Sequence, residues 1–302
     1  MQRPIDADVS SLKYSLCGSA PLPVELFKKF ETSTGIKITE GYGMTEATCN
    51  ISVNPIEGQR KIGSVGIPLP YTKIKIIKEN AKGSLLECKT GEAGEICIAN
   101  PGVVAGNTYT DPEKNKNLYY KKDFFRTGDL GYLDNDGYLF ITGRAKDLII
   151  RGGHNIDPAI SEEALASHPA VAMVGVIGQP DARVGELPCA YVELIKNSET
   201  TVDELIKHAE DNIGEKAAVP KYLEIVNEIP KTPVGKIFKP ELRKRAITRV
   251  YNEALENAEL SSRVQEVIDH PKKGLTAMIA KNGVNDPKQI GKILDKFIFK
   301  WE

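Results

Sequence analysis

An α/β segment, then a β-rich segment, then a small α+β domain is the architecture this sequence predicts. Over residues 12–55 an apolar run, a helical period and a second apolar run follow one another. Over residues 62–142 short β-prone stretches are divided by Gly-rich turns, a pattern that reads as a small β-barrel. After Gly143 helical and extended periods alternate again.

Taken in order, residues 12–16 predict a strand, the turn CGSAPLP follows, residues 24–30 predict a helix and residues 36–39 a strand. Loops at the carboxyl ends of strands gather ligands in α/β sheets, which makes Gly18-Ser19-Ala20 a candidate binding turn. Strands are predicted at 74–77 and 94–98, and a hairpin at 132–133 and 138–142. Beyond it come a helix at 161–167, strands at 171–177 and 189–195, a helix at 201–213 and a strand at 222–226. The tail predicts a helix from Pro240 to about residue 259, a hairpin at 263–268 and 275–279, and a helix at 287–297. The expected domains are therefore 1–143, 144–240 and an extension, 241–302. The boundary at Arg144-Ala145-Lys146 is a candidate hinge, because a few junction residues absorb a large rotation.

Composition excludes several classes. The 302 residues have a formal charge of -1, so no basic excess points to nucleic acid. The five cysteines, Cys17, Cys49, Cys88, Cys97 and Cys189, form no CxxC pair, and no signal peptide opens the chain. A cytoplasmic protein with reduced thiols is expected. No apolar run reaches the length of a membrane span, which leaves peripheral membrane contact at most. The four histidines lack ligand spacing.

The densest run is residues 124–165. Asp129 follows Thr127-Gly128, placing a carboxylate after a residue that lets backbone approach a ligand, a geometry suited to paired ribose hydroxyls. The Asp134-Asn135-Asp136-Gly137 turn imitates a calcium loop but fails its spacing. With Gly137 at position six, Tyr132 and Gly143 occupy the positions that need oxygen ligands. Alone, Lys236 reads as a surface lysine. It belongs to no phosphate-binding GxxxxGK motif, because the first glycine falls on Pro230.

Four motifs in order carry a resemblance: CGSAP at 17–21, GYGMTE at 41–46, the run 124–165, and PKTPVGKIFK at 230–239. Together they resemble the acyl-CoA synthetase branch of the adenylate-forming (AMP-binding) enzymes, over roughly residues 9–245. GHNIDP at 153–158 with SEEAL is similar to a bacterial fatty acyl-CoA ligase subgroup. The resemblance implies activation of a carboxylic, here fatty, acid by ATP to an acyl-adenylate and pyrophosphate, then displacement of AMP by coenzyme A. Aryl-acid ligases and carrier-protein adenylation domains share these motifs, and a non-catalytic AMP-binding remnant would keep them.

By that resemblance Tyr42 stacks on adenine beside Gly18, Ser19 and Ala20, Thr45 reaches the α-phosphate, and Glu46 offers Mg²⁺ an oxygen. Asp129 and Arg144 hold the ribose, Lys236 is the catalytic lysine of adenylation, and Lys146 is the hinge of a mobile small domain. Gly152 and Gly153 face the thiol arm of coenzyme A. His154 receives no role. Asp157, Ile160 and Asn107 depart from the family's usual residues.

The resemblance also implies a Ser/Thr/Gly phosphate loop well upstream of GYGMTE. Thr32 to Lys37 is too short to be that loop and sits in a tight connection. The chain is thus expected to correspond to the C-terminal part of a synthetase, feeble in adenylation by itself. Strand edges should stand open to a separate N-terminal half.

Overall fold

The computed structural model describes residues 8–20, 22–80, 82–104, 106, 108–233, 235–271, 273–280 and 287–302. Pro21, Asn107 and Val234 lie outside them. The chain divides into two compact units, Met1–Lys146 and Asp147–Glu302.

In the first unit β1 (Tyr14–Cys17), α1 (Val24–Thr34) and β2 (Lys37–Met44) form a parallel β-α-β turn of chain, with Cys17 beside Glu40. Helix α1 stops where Gly35 takes a left-handed conformation and its N–H caps the Glu31 carbonyl, leaving the chain free to turn into β2. Strand β2 runs five residues past the predicted end. The reason is β3 (Cys49–Val53), which returns antiparallel against Gly41–Met44 after a 3-10 turn at Thr45–Ala47. With β4 (Ile67–Pro68) the sheet order is β1-β2-β3-β4. Among the described residues β1 pairs with β2 alone, and Leu16 on it is 66% exposed.

The second sheet comprises β5 (Lys73–Glu79), β6 (Leu85–Glu87), β7 (Gly94–Ala99), β8 (Tyr119–Tyr120), β9 (Phe124–Leu133) and β10 (Leu139–Arg144). Its order is β10-β9-β7-β5-β6, with β8 on β9. The expected barrel does not close. The outer edge of β10 is taken by the loop leading to β4: Leu139 accepts from Val65 N–H at 2.9 Å and donates to the Gly66 carbonyl at 2.8 Å. Those backbone groups would otherwise have been needed for closure onto β6. Ile76, Ile96, Ile98, Phe125 and Leu139 from this sheet pack with Tyr42 and Ile51 from the first in one core. In the β9–β10 turn Asp134 accepts from the N–H groups of Asp136 and Tyr138, and Lys61 pairs with both Asp134 and Asp136. These carboxylates are thus engaged in closing a turn.

The second unit opens with β11 (Ile149–Arg151), β12 (His154–Ile156) and α2 (Pro158–Ala166), followed by β13 (Val171–Asp181), β14 (Gly185–Leu194), α3 (Val202–Asn212) and β15 (Tyr222–Val226). These strands form one sheet, in which β14 joins β11, β13 and β15. Helices α2 and α3 cover one face through Leu165, Leu205 and Ala209 against Val174, Val176 and Leu223. Thr201 and Glu204 close α3 with a reciprocal capping box.

Helix α4 (Lys239–Asn257) covers the other face: Leu242 and Ala246 meet Ile177, Cys189 and Tyr191. The same helix serves the tail, where Ile247, Tyr251 and Leu255 pack on β16 (Val264–His270), β17 (Gly274–Ile279) and α5 (Pro287–Leu294). The predicted tail hairpin and terminal helix are both present. A short parallel strand, β18 (Lys300–Trp301), adds to β17. Because α4 begins before residue 241 and feeds two cores, it ties the tail to the small domain by shared packing.

Candidate functional site

Strand β9 alternates buried and half-buried positions, which sends Thr127 and Asp129 inward. Asp129 has a side chain only 11% exposed, and two partners share its carboxylate. The Tyr42 hydroxyl donates to Oδ2 at 2.5 Å, and Arg144 Nε donates to Oδ1 at 2.7 Å. Thr127 Oγ accepts the Asp129 N–H at 3.1 Å and donates to the Ile96 carbonyl at 2.8 Å, anchoring the strand beneath. A buried carboxylate with two donors still has lone pairs for two hydroxyls. Burial, and next the Asp129 charge, push the Tyr42 phenol far above its ordinary ionisation range. That ring is 9% exposed and belongs to the core between the two sheets.

The remaining residues assigned to nucleotide gather around the same place. Gly18 lies against β2 so closely that a Cβ there would approach the Gly41 carbonyl oxygen at 3.0 Å. Gly18-Ser19-Ala20 is therefore held beside Gly41-Tyr42, as the parallel pairing of Cys17 with Glu40 requires. Thr45 and Glu46 open the 3-10 turn after β2. Glu46 Oε1 accepts from the Tyr109 hydroxyl at 2.5 Å, and this bond, with burial next, lifts the Tyr109 phenol to about 12.

A cleft of about 330 Å³ is lined by Met44, Glu46, Tyr109, Gly128, Arg144 and the Glu95–Arg126 ion pair, among others. Tyr109, Glu95 and Arg126 were missed by sequence reading. Each lies dozens of residues from its partner, and no local pattern marks it.

Among the described residues no group of three His, Cys, Asp or Glu side chains could enclose a metal. Glu46 alone fits the way Mg²⁺ is held on nucleotides, by one or two carboxylates with phosphate oxygens and water.

In the second unit Lys236 ends a tight turn. Its N–H bonds Thr232 Oγ at 3.1 Å, its carbonyl accepts from Thr232 N–H at 2.7 Å, and its side chain is exposed. The neighbouring Lys231 is committed to Glu193. Gly152 and Gly153 make the turn between β11 and β12. Lys146 lies in the 3-10 turn Ala145–Asp147, where the chain passes from one unit to the next. Asp157 caps α2 by accepting from Ala159 N–H at 2.9 Å, and burial raises its carboxyl to about 6. Ile160 packs on the core beneath α2, so these two departures from the family pattern have structural roles.

A β-α-β turn, a second sheet and a small α+β unit, with a buried Tyr–Asp pair joined by a half-exposed Arg at a cleft, define the adenylate-forming class. The AMP-binding enzyme family matches residues 2–107, and the AMP-binding enzyme C-terminal domain matches residues 161–236. The chain belongs to this family.

The chain is 39% identical over 310 residues to the marinolic acid–CoA ligase of a Pseudoalteromonas species, a match covering 100% of this chain and 47% of that protein. It is 41% identical over 235 residues to the long-chain-fatty-acid–CoA ligase of Bacillus subtilis, covering 78% and 41% respectively. The solved structure of ATP-bound MatB from Rhodopseudomonas palustris superimposes with a TM-score of 0.68 at 35% identity, covering 76% of this chain and 44% of that one. The chain spans about half the length of the curated relatives it matches. Among the described residues no helix is long and apolar enough to cross a membrane.

Proposed function

We propose that this chain supplies the ribose-binding and thiol-handling parts of an acid–thiol ligase, which joins a carboxylic acid to coenzyme A through an acyl-adenylate. The observation that carries the reading is Asp129, buried and shared between Tyr42 and Arg144. A carboxylate of this kind, held by one donor on each oxygen and with lone pairs to spare, accepts both ribose hydroxyls of ATP or AMP with charge-assisted bonds. Tyr42 with Gly18, Ser19 and Ala20 forms the adenine side, and Thr45 donates to the α-phosphate.

Glu46 would hold Mg²⁺, which when bound shields phosphate charge. Lys236 stabilises the charge that develops as the carboxylate attacks, worth about 100- to 1,000-fold. Lys146 turns the small domain, and the Gly152–Gly153 turn then meets the thiol. A fatty acid is the substrate class favoured by the GHNIDP motif and by similarity to a protein named as a long-chain-fatty-acid ligase.

Adenylation also needs a phosphate loop, which no segment described here resembles, and the open edge of β1 with exposed Leu16 suits pairing with an N-terminal half. Calorimetry of the chain with AMP should therefore show binding without turnover. Mixing with a separately made N-terminal half, ATP, fatty acid and coenzyme A should release AMP. A folded complex that forms no AMP would reduce the chain to a nucleotide-binding remnant, and failure to bind AMP at all would end both readings.

A further inference from the structure

We infer that His154, held by Glu215, is the base that takes the proton from the attacking thiol, an inference that rests on the thiol-facing reading of Gly152–Gly153. Residues 149–156 form a tight hairpin in which Arg151 pairs with His154 across the turn. Both glycines take left-handed conformations, φ 59° and 84°, and no atom beyond the adjoining residues lies within 4 Å of a Cβ built on either. The turn therefore projects into open space, and a side-chain-free ridge lets a narrow ligand arm lie along it.

His154 is the first side chain after that ridge. It is exposed, and it is fixed in place. Its Nε2 lies 2.6 Å from Glu215 Oε1, on the loop between α3 and β15. Arg151 from the same hairpin donates to the Ala217 carbonyl at 3.0 Å, and Gly152 N–H bonds the Val184 carbonyl at 2.6 Å. The hairpin is thus joined at two points to the loop between α3 and β15 and at a third to the turn between β13 and β14. A carboxylate can only accept, so Nε2 carries the hydrogen and Nδ1 is left as the acceptor. Glu215 is the charged group that touches the ring, and Arg151 is its partner across the hairpin. The other described histidines are placed differently. His168 and His208 meet edge to face, the first just past α2 and the second on α3, and His270 ends β16 in the tail.

The step balances without a further reagent. The thiol S–H proton passes to Nδ1, and the thiolate sulfur bonds the acyl carbonyl carbon. The acyl–oxygen bond to AMP then breaks with its electron pair on the leaving phosphate oxygen, and the imidazolium returns its proton to water. Glu215, a positioning residue, fixes the tautomer and stabilises the imidazolium. A free thiol with an ordinary pKa near 8.5 is only about 3% thiolate at pH 7. Loss of the base therefore costs about 30-fold at pH 7 and little above pH 9.

The test begins with the full chain, isotope-labelled, titrated with coenzyme A and with desulfo-coenzyme A while the Gly152 and Gly153 amides and the His154 ring are followed by NMR. Both ligands should move the glycine amides, and only the thiol should move the His154 Nδ1 signal. Moving glycines with an unmoved ring would overturn the base and leave the thiol face standing. Unmoved glycines at millimolar ligand would sink the thiol-face reading and this inference with it. In the complex with an N-terminal half, supplied with acyl-adenylate, H154Q should form thioester about 30-fold more slowly at pH 7 and recover by pH 9. E215Q should show the same pH trend with a smaller deficit. An equal loss for H154Q at both pH values would refute the proton-transfer role, since a merely structural defect does not fade with thiol ionisation.

Discussion

Replacing Asp129 with Asn keeps the shape of the cluster and removes its charge. Hydrogen bonds to a charged group contribute about 1.5–3 kcal/mol each, against about 0.5–1.5 kcal/mol for neutral ones. The Tyr42 bond at 2.5 Å is buried and should lose about 1 kcal/mol. Arg144 is 48% exposed, and its pairing, screened by water, adds only a few tenths. D129N should therefore fold with a stability lowered by about 1–2 kcal/mol. The larger effect falls on nucleotide: two ribose hydroxyls each lose about 1 kcal/mol, which weakens AMP binding about 10- to 100-fold. Calorimetry of wild type and D129N with AMP, and with 2′,3′-dideoxy-AMP, measures this directly. The dideoxy nucleotide, lacking both hydroxyls, should bind the two proteins alike. A folded D129N with unchanged AMP affinity would refute the assignment of this carboxylate to ribose.

Y42F removes the donor to Asp129 Oδ2 from the core and should lower stability by about 1–2 kcal/mol in urea unfolding; no change would show that the bond carries nothing. Glu40, buried on β2 and accepting from the Gly63 N–H, has its carboxyl raised by burial to about 7. Its unfolded value is near 4.3, so between about pH 4.3 and 7 the folded state holds the proton that the unfolded state releases, and stability falls as pH rises across that window. E40Q should flatten this slope and gain about 2–3 kcal/mol at pH 8, read from unfolding curves at both ends; an unaltered slope would contradict it. K236A, at an exposed side chain, should leave unfolding within about 0.5 kcal/mol of wild type, while slowing pyrophosphate exchange in the complex with an N-terminal half by about 100- to 1,000-fold. Equal exchange rates would remove Lys236 from the chemistry.

Most helices and strands were legible in the sequence because their signals are local. The strand at 222–226 was placed to the residue, and the tail hairpin nearly so, since alternation and turn residues act over a few positions. Strand β2 was cut short because its Gly-rich second half has little strand propensity and is held extended by β3. The barrel reading failed for a similar reason. Closure is decided by which backbone occupies the outer edge of β10, and the 65–66 segment does. Tyr109, found beside Glu46, and Glu215, found on His154, left no trace in spacing, being 63 and 61 residues from their partners.

By itself the sequence determined the family and the chemical vocabulary of the site: a Tyr, a Thr-Glu pair, an Asp, an Arg and a lysine after glycine, each in a motif short enough for steric and turn preferences to specify. Only the tertiary structure decided how the Tyr42–Asp129–Arg144 cluster is wired. Tyr42 and Asp129 stand 87 residues apart, yet they share a hydrogen bond because two sheets pack their apolar faces together and carry the phenol to the carboxylate. Burial of that interface, a property of the whole first unit, turns an ordinary tyrosine and aspartate into a fixed, hydrogen-bonded pair, the one proposed to accept ribose.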